Sequence, residues 1–170
     1  TLFRSEAQLT FSAVLDDGGS AVSGRSRVVR SLSEAAAQAA GRAAGYGLAI
    51  VDMPEGDRER WWAFLTRIEA RAARRVLVGA APPRFAELQA GLTAAGYAVA
   101  GGSDAGAVAE LARGEGQPVD AGLLDATWLA AGGLTARVES VLAARKVPCV
   151  TVHGDARRAR VAIDKLLVVA

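Results

Sequence analysis

Val119–Thr127, VDAGLLDAT, is the stretch whose reading decides the fold. An apolar run closed by a carboxylate, Asp125, with helical patterns before and after it, reads as a buried strand of a parallel sheet. In such sheets ligands and chemistry collect just beyond the carboxyl ends of the strands, so Asp125 stands where a working residue would stand. Gly47–Pro54, GLAIVDMP, repeats the pattern and ends in Asp52.

Outward from this stretch, helix and strand signals alternate. Downstream, Leu134–Ala144 reads as a helix with Leu134, Val138, Val141 and Leu142 inward, followed by strands at Val147–Val152 (VPCVTV) and Lys165–Val169. Upstream, Gly114–Pro118 is a loop, Asp104–Arg113 a helix and Tyr97–Ala100 a strand. A helix from Arg84 to Ala95 buries Phe85, Leu88 and Leu92 and stops at Gly96, and Arg75–Gly79 (RVLVG) is a strand. Further back, Asp57 caps a helix to Ala73 with Trp61, Leu65, Ile68 and Ala72 on one buried face. Leu48–Asp52 is a strand, Leu32–Ala44 a helix closed by Gly45, and Ser20–Gly24 a weak strand after the turn Asp16–Gly19. Ser5–Leu15 fits a helix remnant or a strand equally. Six successive alternations predict an α/β fold with a doubly wound parallel sheet.

The chain's 170 residues, 51% hydrophobic, supply a core for one α/β domain or two small ones. A formal charge of +2, with Arg71–Arg75 and Arg157–Arg160 read as helix ends, argues against a nucleic-acid-binding stripe. One cysteine, Cys149, permits no internal disulfide and points to a reducing compartment. No run reaches the roughly 20 apolar residues of a membrane helix. Thr1–Ser5, TLFRS, reads as a translated sequencing-adapter end, and with the strand-like Leu166–Ala170 it suggests an internal piece of a longer chain.

From Arg75 onward, RVLVGAAPPRFAELQAGLTAAGYAVAGG, VDAGLLDAT and VLAARKVPCVTVHGD resemble, in order and spacing, a response-regulator receiver domain of flavodoxin-like fold. The resemblance implies a degenerate receiver-like domain over 75–170 and a partial receiver-like unit over 6–74, as in tandem receivers of bacterial hybrid histidine kinases. It makes Asp125 the phospho-acceptor. Asp52 is the second candidate, in a rival register that makes residues 6–113 one truncated receiver. Ala80 and Ala81 replace the acidic pair that holds Mg²⁺, so magnesium is implied only if phosphorylation works. His153 takes the switch position, with Thr151 two residues earlier, and the conserved lysine would fall near Val169, with Lys165 at the wrong end of its strand. A histidine kinase or phosphotransfer domain and a sister receiver are the implied partners, in the cytoplasm.

Two other readings stay open. Gly101, Gly102, Ser103 and Gly106 lie between a strand and a helix, where a nucleotide phosphate could sit as in a Rossmann domain. Asp125 lies 19 residues beyond Gly106 (125 − 106), near the position of a ribose-binding acid. The match is GxSxxG, not GxGxxG. The third reading is a docking module that works without phosphorylation. His153, the lone histidine, reads as a loop residue, Cys149 as a small core hydrophobe, and one of Trp61 and Trp62 as core with the other free for an interface.

Overall fold

A computed structural model describes residues 8–15, 19–39, 44–114, 116–131 and 133–167. The chain divides into two compact units, Thr1–Leu65 and Thr66–Ala170.

In the first unit, β1 (Gln8–Ala13), β2 (Val22–Leu32) and β3 (Gly45–Asp52) form an antiparallel sheet in the order β1-β2-β3. Helix α1 (Glu34–Ala39) stands between β2 and β3. The expectation of a parallel, receiver-like arrangement over 6–74 is corrected here. The rival register over 6–113 fails with it, because β3 pairs with β2 and not with the strand at Arg75–Gly79. The physical reason lies in β2, which is far longer than Ser20–Gly24. From Val22 to Val28 its residues alternate, with Val22, Ser26 and Val28 buried and Ser23, Arg25 and Arg27 exposed, the mark of a sheet with one wet face. The turn at Asp16–Gly19 lies mostly outside the described residues, but β1 and β2 on either side of it pair as a hairpin, with Ala13 opposite Val22.

Helix α2 (Glu55–Ala72) carries the chain from the first unit into the second. It begins two residues before Asp57, so Asp57 is not its cap; its carboxylate accepts the Ser23 N–H at 2.9 Å. Trp61 is half-buried between Phe11 and Phe64, Leu65 and Ile68 follow on that face, and Ala72 is exposed.

The second unit contains β4 (Arg75–Gly79), α3 (Pro82–Ala94), β5 (Ala98–Gly102), α4 (Ala105–Arg113), β6 (Ala121–Asp125), α5 (Ala126–Ala130), α6 (Leu134–Ala144), β7 (Cys149–Val152) and α7 (Ala156–Leu166). Its strands are all parallel, in the order β5-β4-β6-β7. Central strands β4 and β6 are apolar on both faces, which is what burial between two helical layers requires. Val76, Val78 and Leu123 face a core with Leu88, Leu92 and Ile163. Leu77 and Leu124 face the other, with Val108, Trp128, Val138 and Leu142. Gly101, at φ +132°, allows β5 to approach β4, since a Cβ there would fall 1.9 Å from the Val78 carbonyl oxygen.

Two further expectations are corrected. Leu134 is not inward but 55% exposed at the start of α6. Lys165 lies in a helix, not a strand: Asp155 caps α7 by accepting the Arg158 N–H at 2.8 Å, and Ala159 and Ile163 bury at helical spacing. Val169 lies outside the described residues.

The deepest charged group of this unit is Arg71, at the end of α2 and 2% exposed. Its guanidinium donates to both carboxylate oxygens of Asp164 on α7, Nε to Oδ1 at 3.0 Å and Nη2 to Oδ2 at 2.9 Å. The Tyr97 hydroxyl donates to the same carboxylate. Burial, and then that bond, push the Tyr97 phenol well above its ordinary range.

Candidate functional site

The sheet order reverses between β4 and β6, since the chain leaves β5 on one side of β4 and returns on the other. In doubly wound sheets this is where ligands bind, outside the carboxyl ends of the strands. Asp125 ends β6 at this point, beside Gly79 and Ala80 at the end of β4 and in register with Val152 of β7. Its position on the rim is the expected one. Asp125 is nevertheless buried there, at 5% exposure.

The carboxylate is engaged on both oxygens. Oδ1 accepts the N–H groups of Thr127 and Trp128, at 3.0 and 3.1 Å, and the Thr127 hydroxyl, so Asp125 is the N-cap of α5. Oδ2 faces Arg84 Nε at 3.5 Å, and the same guanidinium reaches Glu87 at 2.7 Å. Burial raises the Asp125 pKa, but the bonds from Thr127 and Trp128 and the charge of Arg84 outweigh it, leaving the carboxyl below its ordinary value.

Magnesium does not fit this arrangement. Among the described residues no group of three or more His, Cys, Asp or Glu side chains is placed to hold a metal ion. The Ala80 methyl is fully buried and Ala81 ends the loop before α3, so neither supplies an oxygen ligand from its side chain. Mg²⁺ demands an octahedron of oxygens, and the nearby Arg84 cation would repel it. The first two positions of α3, Pro82 and Pro83, have no N–H to offer a phosphate.

The other candidates are not gathered around Asp125. Thr151 and His153 are solvent-exposed, and the described hydrogen bonds of Asp125 come from α5 instead. Asp52 ends an antiparallel strand, exposed, with its carboxylate on Arg25 at 2.8 Å. The hydrogen bond and charge of Arg25 lower its pKa. Of the glycine-rich turn, Gly101 serves strand packing and the Ser103 carbonyl accepts the Trp128 indole N–H at 2.9 Å. Beside Gly106, Asp104 caps α4 by accepting the Ala107 N–H at 2.7 Å, placing a negative charge where a nucleotide phosphate would have to sit.

Sequence reasoning missed Arg84 and Thr127. The available signal was Asp-Ala-Thr after an apolar run, a side-chain cap pattern as much as a strand end. It also missed why Gly79 is glycine: a Cβ there would fall 2.6 Å from the Trp128 ring.

Cys149 is half-buried in β7 against the core formed around Leu77. Burial, with a smaller contribution from Glu139, pushes its thiol up to about 11. Alkylation by iodoacetamide at pH 8 is therefore expected to run roughly a hundredfold slower than for a free cysteine peptide. A rate within a few-fold of the peptide would show that β7 opens readily.

No family model matches the chain, and neither the curated proteins nor the solved structures give a significant match.

Proposed function

We propose that residues 75–167 are a pseudo-receiver, a flavodoxin-like signalling module that works by docking and not by accepting a phosphoryl group. The strand order β5-β4-β6-β7 supports the fold reading, since it equals the first four positions of the 2-1-3-4-5 sheet. A Rossmann sheet would place the third strand beyond the second instead of beside the first. The observation that carries the functional reading is the engagement of Asp125. A nucleophilic carboxylate needs a free oxygen and a cation to neutralise the incoming group. Here one oxygen takes three hydrogen bonds, the other faces Arg84, and the positions that the receiver resemblance assigns to the acidic pair hold Ala80 and Ala81.

The partners that suit this reading are a histidine kinase, a phosphotransfer domain or a sister receiver in the cytoplasm. Consistent with part of it, no helix among the described residues is long and apolar enough to cross a membrane. The test is incubation of the chain with acetyl phosphate and Mg²⁺, followed by intact mass measurement. No phosphoryl adduct is expected. An adduct that disappears in Asp125→Asn would restore phosphorylation as the mechanism, and saturable NAD binding would favour a nucleotide site.

A further inference from the structure

Strand β2 carries three solvent-exposed arginines, Arg25, Arg27 and Arg30. Strict alternation would divide them, with Arg25 and Arg27 on the wet face of the first sheet and Arg30 on the opposite face with Val28. The register prevents this. Arg27 pairs with Ala49 and Arg30 with Gly47, so three steps along β2 match two along β3, and Val29 is the extra residue of a bulge. A Cβ built on Gly47 would fall 3.2 Å from the Arg30 Cβ and 3.7 Å from its Nε. Arg30 therefore shares the face of Gly47 and Ala49, with its side chain laid across the glycine. Re-aiming a side chain in this way is what bulges commonly do.

The outcome is a row of three guanidinium groups in steps of about 7 Å, the length of two strand residues. Two acids lie near it, and both are engaged: Asp52 accepts from Arg25 at 2.8 Å, and Asp57 accepts the Ser23 N–H at 2.9 Å. Among the described residues neither Arg27 nor Arg30 has a carboxylate partner. Thr10 and Gln8, opposite Arg25 and Arg27 on β1, flank the row with hydrogen-bonding groups. These arginines are not the clusters at Arg71–Arg75 and Arg157–Arg160, and only the bulge gathers them on one face.

We propose that this face of the first unit binds the phosphate backbone of single-stranded nucleic acid along β2, independently of base sequence. A guanidinium presents a planar pair of donors that fits a phosphate, and the step of the row is close to that between successive phosphates of an extended strand. Phe11 and Tyr46 line the cleft on the opposite face, which leaves the bases here without an aromatic platform to stack on. An acidic peptide suits the row less well. Both edges of β2 are already paired, so a peptide lying across its face gains no ladder for its own N–H and C=O groups.

The test is fluorescence anisotropy of the full chain with a labelled oligothymidylate of about 12 nucleotides, within the site sizes of single-strand binders. Saturable binding with Kd below about 500 µM at about 50 mM salt is expected. The logarithm of the association constant should fall against that of salt with a slope of about −2, from roughly 0.7 per phosphate over three contacts. Arg27→Ala and Arg30→Ala should each flatten the slope by about 0.7, and the pair together should weaken binding at least tenfold. Should the pair unfold, Asp52→Asn tests the same row in the other direction: it releases Arg25 and should tighten binding at least twofold. Arg157→Ala with Arg158→Ala, exposed on α7, should change Kd by less than a factor of two. Weaker binding than stated, a slope flatter than about −0.7, or equal loss in the α7 pair would overturn the proposal. So would displacement of the oligonucleotide by polyglutamate at equal charge, which would make an acidic segment the ligand.

Discussion

Arg71→Ala is expected to destabilise the second unit by about 3 kcal/mol, toward the low end of the 3–5 kcal/mol that breaking a buried ion pair costs. The loss comes less from the attraction given up than from the carboxylate left behind. Asp164, 17% exposed, would keep the Tyr97 hydroxyl but lose two charged donors. The low end applies because Arg160 Nε already lies 3.9 Å from Asp164 Oδ2 and can take up part of the charge. Thermal and urea unfolding should register the change, with Tm falling by roughly 12–15 °C for a unit the size of Thr66–Ala170. The control is the pair Arg71→Met with Asp164→Leu. Removing both charges together removes the orphan, so the double variant should recover most of the loss. A double variant as unstable as the sum of its singles would mean that shape at this site, and not charge, is what the core requires.

That network also marks where the sequence stops being legible. Arg71 reads as one of a basic run at a helix end, because nothing within a few residues reveals Asp164, which is 93 positions away. The parallel strands of the second unit were readable because burial on both faces makes them short unbroken apolar runs, as in RVLVG and AGLLD. The first unit misled for the complementary reason. Its β2 has one wet face, so Arg25 and Arg27 interrupt the run, and the helix pattern before β3 imitates a parallel crossover. In α7 the cluster Arg157–Arg160 hid the spacing of Ala159 and Ile163, and the apolar residues after Lys165 drew the reading toward a strand. At the candidate site the position of Asp125 was legible and its engagement was not. Arg84 lies 41 residues earlier (125 − 84), and the cap depends on a helix of only five residues.

The second large effect separates the two roles open to Asp125. Asp125→Ala removes the cap of α5, worth about 0.5–2 kcal/mol, and the charged contact to Arg84, worth about 1.5–3 kcal/mol when hydrogen-bonded. Since the Nε–Oδ2 separation is 3.5 Å, the lower figure applies to that contact, and a total near 2–3 kcal/mol is expected in urea unfolding at pH 7. Asp125→Asn keeps an acceptor for the Thr127 and Trp128 N–H groups and should cost about half as much. The folded pKa lies below the ordinary value of 3.8, so the ionised carboxylate favours the folded state above that pH. Its contribution is lost as pH falls through the lower folded value. The stability gap between wild type and Asp125→Asn should therefore stay constant from about pH 5 to 8 and close below about pH 4. A carboxylate held ready for chemistry behaves in the opposite way, because its neutralisation relieves repulsion and leaves stability unchanged or improved. An Asp125→Asn variant more stable than wild type at pH 7 would thus contradict the stabilising charge contact to Arg84, and with it the physical basis of the proposed pseudo-receiver.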